Sequence, residues 1–245
     1  MRLLRFYVNI PLKINQDAEL PEPVARHMVR VLRLQAGAQV TFFNGDGNEY
    51  SAEIISASKK AVIARVLDKK FVDRESNIKI HLVQALSKGD RMEATIQKAV
   101  ELGVHQITPV SSERSNVTLT GDRLLKKMAH WAGVIESACG QTGRNYIPKL
   151  NKLCSLSSCF AALGDKTATK LMLNPYASIG LASLEDEINE VILLVGPEGG
   201  FSDVEVECGE SFGFKPVKMG PRILRTETAG GAMISMLQLK FGDMG

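Results

Sequence analysis

"LLVGPEGGFSDVE", residues 193–205, joins an unbroken apolar run to a glycine-rich bend and then to the start of a helix. The run "EVILLVG" (190–196) is short and apolar at consecutive positions, which predicts a strand buried on both faces, as in a parallel sheet. Pro197 stiffens the bend, and Gly199 and Gly200 supply positive φ or a close backbone approach. Ser202 and Glu205 stand at the Ser-x-x-Glu spacing of a capping box, so a helix is expected over about 202–212. In that order, strand, bend and capped helix turn backbone N–H groups outward at the carboxyl end of a strand, where open α/β sheets hold ligands. From its own residues the bend reads equally well as a tight strand-to-helix connection.

A second bend of the same kind follows. "MGPRILRTETAGG" (219–231) ends a short strand, "KPVKMG", in Gly-Pro and leads into a helix expected from Thr226 to Lys240. If the two strands lie close together, the bends line one crevice and Arg222, Arg225 and Glu227 overhang it. The arginines also read as solvated side chains, and Glu227 as favouring the positive end of its helix. The common phosphate cradles are missing: "LSKGDRME" offers one glycine where a G-x-G-x-x-G would stand, and no G-x-x-x-x-G-K-[ST] occurs.

Working outward, "IKIHLVQAL", "DRMEATIQKAVELG" and "ITPV" read as strand, helix and strand from Ile78 on, a βαβ unit that implies a parallel sheet. A longer helix, "DRLLKKMAHWAGVIESACG", and another buried strand, "ATKLMLN" (168–174), come next. Before Ile78 the pattern differs. "PEPVARHMVRVLRLQAG" (21–37) predicts a helix with Val24, Met28, Val31 and Leu32 on one face and Arg26, Arg30 and Arg33 on another. A solvated cationic face and a stripe against RNA phosphates both fit the arginines. "QVTFF", "EYSAEII" and "AVIARVL", punctuated by "NGDG", read as strands of a small β-barrel, and "DKKFVDRESN" (68–77) as a linker. Two domains are expected, 1–72 and 73–245.

Residues 1–70 hold 11 Lys+Arg against 7 Asp+Glu and the remainder 19 against 20, so the basic excess sits in the front domain, as in a nucleic-acid-contacting module joined to a catalytic one. No apolar run approaches the ~20 residues of a membrane span, and the first residues lack a signal-peptide pattern, so a cytoplasmic protein without a membrane partner is expected. Cys139, Cys154, Cys159 and Cys208 form no C-x-x-C pair and no two of the four histidines fall three to five residues apart, so no metal site is expected and the cysteines read as thiols.

Together with "RFYV", "RHMVRVLRLQAG", "SKGDRMEATIQKAVELGV", "PVSSERSNV" and "GQTGRNYIP", the two glycine bends closely resemble the 16S ribosomal RNA uracil-N3 methyltransferases of the SPOUT superfamily, the RsmE family. The ordered set spans nearly the whole chain. The resemblance implies an α/β fold: a PUA-like β-barrel in front, and behind it a mainly parallel sheet with a C-terminal trefoil knot. It implies S-adenosyl-L-methionine as cofactor, held by Leu173, Asn174, Gly196, Pro197, Glu198, Gly199, Gly200, Met219, Gly220, Ile223, Leu224 and Thr226. Leu173, Met219, Ile223 and Leu224 would be its apolar walls, although core residues look the same in sequence. It further implies 16S ribosomal RNA or the small ribosomal subunit as partner, with Arg5, Arg26, Arg30, Arg33, Arg114, Gln141 and Arg144 as RNA-contacting candidates. A homodimer is also implied, with Met233, Met236 and Leu237 of the last helix as candidate interface or core. Uracil N3 needs a proton acceptor and a partner for the developing anion. Arg225 is expected to stabilise that anion, with Glu227 or Glu198 as base or orienting partner. Two departures from the family stand out: Gly230-Gly231 replace larger residues at roughly 1 kcal/mol per glycine in a helix, and Cys139-Gly140 stand where Ala-Glu is commoner. A non-catalytic RNA-binding or assembly factor on the same fold is the rival reading, and a small-molecule nucleotide enzyme a third that leaves the basic barrel idle.

Overall fold

The computed structural model describes residues 4–58, 61–184 and 187–245. It separates into two units: the chain up to Glu75 with Glu136–Ile147, and Ser76–Ile135 with Pro148–Gly245. The return of 136–147 to the first unit is invisible to a boundary drawn along the chain.

In the first unit β1 (Arg5–Tyr7), β2 (Asp17–Glu19), β3 (Gln39–Phe43), β4 (Asn48–Ala57) and β5 (Val62–Phe71) form one sheet in the order β1-β3-β4-β5-β2. β1 runs parallel to β3 and the other pairs are antiparallel. Along β4, Asn48, Tyr50, Ala52 and Ile54 are buried and their neighbours partly exposed, the period-2 pattern of a strand with one face on a core. That core gathers Val8, Met28, Val40, Phe42, Ile54, Val62 and Val66. Two expectations are corrected here. Residues 68–71 belong to β5, whose pairing with β4 reaches Phe71, so the linker is shorter than 68–77. The expected single helix over 21–37 is α1 (Glu22–Arg26) followed by a π-helical turn over His27–Val31, closed by Leu32 N–H donating to the His27 carbonyl at 3.2 Å. The wider turn breaks the 3.6-residue phase: Val31 is 64% exposed, and Arg33, at φ 55°, lies beyond the helix. Arg33 therefore lies off the helix that carries Arg26 and Arg30.

The second unit is built on parallel strands. β6 (Lys79–Ala85) is followed by α2 (Arg91–Glu101), β7 (Gln106–Ser111) and α3 (Gly121–Thr142), whose last turns belong to the first unit. Then come β8 (Lys149–Leu150), β9 (Cys154–Ser155), α4 (Leu156–Leu163), β10 (Thr169–Leu173), β11 (Glu190–Val195), α5 (Asp203–Ser211), β12 (Lys215–Val217) and α6 (Thr226–Phe241). The strand order is β12-β10-β11-β6-β7-β8, with β9 pairing β7, and every pair is parallel. β6 and β11 are central and buried on both faces, which is why "VILLV" is apolar without alternation and why the polar His81 and Gln84 of β6 are buried as well. β8, β9 and α4 are absent from the sequence-based expectation. α4 is capped by Ser155, whose hydroxyl accepts from Ser158 N–H, and its Phe160 packs against Phe214 with ring centroids 5.3 Å apart.

The chain beyond β12 crosses from the sheet edge back over its centre. Lys218 N–H donates to the Ile179 carbonyl at 3.0 Å, the Thr226 hydroxyl donates to the Gly196 carbonyl at 2.7 Å, and α6 then packs on α2, β6 and β11. The segment 218–226 is thus bonded to the loop after β10 at one end and to the loop after β11 at the other, the passage where the resemblance places the knot. Gly230 and Gly231 are buried inside an unbroken α6. Among the described residues no helix is long and apolar enough to cross a membrane.

Candidate active site

Because β10 sits between β11 and β12, the bends that follow the two outer strands open on the same side of the sheet and face one another across it. Between them lies a cleft of about 550 Å³, within the usual range for small-molecule sites. It is lined by Leu173 and Asn174 from the end of β10, by Gly196, Pro197, Glu198, Gly199 and Gly200 after β11, and by Met219, Ile223, Leu224, Arg225, Thr226 and Glu227 after β12. Of the expected cofactor residues only Gly220 is not in the lining; its φ of 74° turns the chain beside it.

Glycine is required at specific points. Gly200, at φ 68°, closes the bend by donating its N–H to the Pro197 carbonyl at 3.0 Å. A Cβ on Gly196 would come within 3.2 Å of the Phe201 ring, and one on Gly199 within 3.2 Å of Arg114 Cβ. The backbone therefore forms the cleft wall directly. Both arms of the capping box are made: Glu205 N–H donates to Ser202 Oγ and Ser202 N–H to Glu205 Oε2. Beneath the bend, fully buried Gln84 donates from Nε2 to Thr226 Oγ1 at 3.0 Å, and that hydroxyl donates on to Gly196 O. This relay fastens β6, the first turn of α6 and the glycine bend to one another.

The two carboxylates differ in their partners. Glu198 Oε1 accepts from Lys88 N–H at 3.1 Å and from Arg91 Nη1. Burial pushes the Glu198 carboxyl upward, but its own N–H, the Lys88 N–H and the Arg91 guanidinium outweigh that and hold it below the usual carboxylate range. Glu227 Oε1 stands 3.9 Å from both Arg91 Nε and Arg225 Nη1. Its Oε2 is buried and has no hydrogen-bond partner among the described residues. The Arg225 side chain is 80% exposed, with room to swing over the cleft.

Arg91 and Gln84 were not anticipated from the sequence. Arg91 opens α2 at the carboxyl end of β6, a ligand-gathering position in open sheets; Gln84 is a polar residue inside an otherwise apolar buried strand, where an unexplained amide signals a built hydrogen bond.

The expected RNA-contacting residues fare unequally. Arg144 is 4% exposed and forks onto the Glu75 carboxylate. Arg5 donates to Glu49 and to Asn145 Oδ1 at 2.7 Å. These two guanidiniums hold the first unit together, because a buried arginine is kept by the groups that satisfy its donors. Arg114 donates to the Gly199 and Phe201 carbonyls at 3.2 and 3.1 Å and so clamps the glycine bend. Arg26 is exposed and pairs with Glu22 one turn earlier. Arg30, Arg33 and Gln141 are exposed. Among the described residues no group of three or more His, Cys, Asp or Glu could hold a metal ion.

Residues 74–238 match the model of a family described as an RNA methyltransferase domain, and residues 20–67 that of an RNA methyltransferase PUA domain. The chain is 38% identical, over 99% of its length and 98% of the relative's, to the ribosomal RNA small subunit methyltransferase E of Buchnera aphidicola subsp. Schizaphis graminum. Against the protein of that name from Bacillus subtilis the figures are 32%, 83% and 82%. Among solved structures, a Legionella pneumophila protein described as a methyltransferase in complex with the cofactor SAM superposes with a TM-score of 0.95 at 41% identity, covering 99% of this chain and 100% of that one. A ribosomal RNA small subunit methyltransferase E from Neisseria gonorrhoeae bound to S-adenosyl methionine superposes with a TM-score of 0.90 at 36% identity, over 100% of both chains.

Proposed function

The chain belongs to the RNA methyltransferase family that includes the ribosomal RNA small subunit methyltransferases E, and from that premise we propose that it transfers a methyl group from S-adenosyl-L-methionine to N3 of a uridine in 16S ribosomal RNA. The observation that carries this reading is the cleft between the two glycine bends, where bare backbone and the apolar side chains of Leu173, Met219, Ile223 and Leu224 make a wall for an adenosyl group. When bound, the cofactor supplies a methyl already activated on a sulfonium. The chain's own task is to bind, to align and to manage one proton.

Uracil N3 carries a proton between two carbonyls, so it becomes nucleophilic only as that proton leaves and charge spreads onto the oxygens. Glu227 lines the cleft, and its carboxylate, whose buried Oε2 has no hydrogen-bond partner among the described residues, is the acceptor. Arg225, held loosely at 3.9 Å from the same carboxylate and otherwise exposed, meets the charge that develops on the uracil oxygens. Glu198 is the orienting partner: it anchors Arg91, and Arg91 presents its Nε to Glu227. The target base leaves its stack to reach the cleft, so unpaired RNA fits. The PUA-like unit serves the RNA, with Arg30 and Arg33 among its exposed cations. Met233 and Leu237 lie in the core, whereas Met236, Leu239 and Met244 expose apolar surface that a second copy would cover in a homodimer. Such an enzyme works in the cytoplasm, where its RNA is.

The test is mass spectrometry of 16S ribosomal RNA, taken from cells lacking this protein and incubated with it and S-adenosyl-L-methionine. A gain of 3-methyluridine is expected; a methyl on another base or at another ring position refutes the N3 assignment, and no methyl at all returns the chain to a binding role.

A further inference from the structure

α3 keeps a row of basic side chains on one side. Arg123, Lys126, Lys127 and His130 recur at i, i+3, i+4 and i+7, while Trp131 and Ile135 face inward and are buried. The four basic side chains are the whole lining of an open depression of about 470 Å³, which shares no residue with the methyl-donor cleft. The arrangement works against the helix itself. Like charges three and four residues apart destabilise by a few tenths of a kcal/mol per pair, and a cation in the first turn, as Arg123 is, opposes the helix dipole.

Glu93, across on α2, relieves only part of this. It takes Lys127 Nζ at 3.1 Å and His130 Nε2 at 3.0 Å, and the carboxyl is held below its usual range first by His130. Glu93 thereby pins the inner pair in place, and Arg123 and Lys126, the outer pair, have no ion-pair partner among the described residues. A lysine and an imidazole held by Glu93, beside two cations with no ion-pair partner among the described residues, line the depression as a surface complementary to closely spaced anions.

We propose that this face of α3 is a second grip on the phosphate backbone of the RNA substrate, outside the cleft and additional to the cations of the PUA-like unit. The proposal rests on the reading of the chain as an RNA methyltransferase. Its part is affinity and register: phosphate contacts orient a nucleic acid without reading its sequence.

The experiment compares the full-length protein with the double variant Arg123→Gln/Lys126→Gln, measuring binding of a 16S ribosomal RNA transcript from about 50 to 200 mM salt. Two lost phosphate contacts lower the slope of log affinity against log salt by about 1.4 to 1.8, and raise Kd and the KM for RNA together. The affinity for S-adenosyl-L-methionine stays at the parent value, which also shows that the variant is folded. Arg123→Lys/Lys126→Arg retains the parent slope, as does Lys152→Gln, an exposed cation elsewhere on the unit. An unchanged slope in the double variant overturns the proposal. So does loss of binding to phosphatidylserine vesicles with RNA affinity intact, which would assign the face to a membrane. Failure of the parent protein to form 3-methyluridine strikes the functional reading instead, and leaves the salt slope to decide this one.

Discussion

Thr226→Val isolates the relay under the glycine bend. Thr226 is 6% exposed and Gln84 fully buried, so bulk solvent does not replace the bonds either would lose. The hydroxyl accepts from Gln84 Nε2 at 3.0 Å and donates to Gly196 O at 2.7 Å; valine has the same shape and branching, and removes both bonds without opening a cavity. Each bond contributes about 1 kcal/mol net, and a stranded buried partner costs about 1 to 3 kcal/mol. Gln84 keeps its contact to the Ala85 carbonyl, but its Oε1 has no partner among the described residues, so the amide has little left to share. The sum is a loss of about 2 to 4 kcal/mol in the second unit. Trp131, the only tryptophan and buried in that unit, reports its unfolding in urea by fluorescence. Thr226→Ser, which keeps the hydroxyl and loses one methyl, should cost about 1 kcal/mol. Calorimetry should also show the cofactor bound about tenfold more weakly by the valine variant, because re-ordering one residue of the released bend costs about 1 to 2 kcal/mol. A valine variant within 1 kcal/mol of the parent, or a serine variant as damaged as the valine one, refutes the role given to the relay.

Arg225→Ala should abolish methyl transfer while leaving cofactor affinity within about tenfold, since the guanidinium acts on charge that exists only in the transition state; equal loss of both, by rate assay and calorimetry, removes that role. Gly231→Ala should stabilise the second unit by about 1 kcal/mol, because a Cβ there meets its nearest atom, Leu102 Cδ1, at 3.6 Å and the helix gains alanine's propensity; a lower urea midpoint would contradict it. Glu198→Gln should be less stable than the parent at neutral pH. The folded carboxyl titrates below its unfolded value of 4.5, so its contribution is complete above that pH and fades as pH falls through the folded pKa. Melting curves of the two proteins should therefore converge in acid, and a gap that persists there would place the effect elsewhere than in the charge.

Much of the second unit was legible because its elements announce themselves by period. The apolar runs at 168–174 and 190–196 read as strands buried on both faces and "IKIHLVQAL" as the strand that opens a βαβ unit, and the Ser202–Glu205 spacing marked α5 to within a residue. What escaped is short or out of phase. β1 and β2 have three residues each and β8 and β9 two, too few for a period to show. α4 carried a usable signal, Leu156, Cys159, Phe160 and Leu163 at helical spacing behind the Ser155 cap, obscured by its serines. Arg33 was misplaced for a different reason: the helix ends in a π turn before it, and no residue between His27 and Val31 signals that turn.

The site was legible as two bends and illegible as a circuit. Sequence spacing can say that Gly196 to Gly200 and Met219 to Thr226 follow strand ends, but whether those strands are neighbours is a fact of strand order, and β10 between them is what makes one cleft of two loops. The carboxylates make the same point more sharply. In the sequence Glu198 and Glu227 are equivalent candidates for a base, each beside a bend. In the fold, three donors occupy Glu198, and a carboxylate so engaged and held anionic is a poor proton acceptor. Glu227, which also lines the cleft, keeps one buried oxygen, Oε2, with no donor upon it among the described residues, which is what favours it in the proposed role of acceptor. Arg91 draws the distinction: by bonding Glu198 closely and Glu227 only at 3.9 Å, it satisfies the first and merely steers the second.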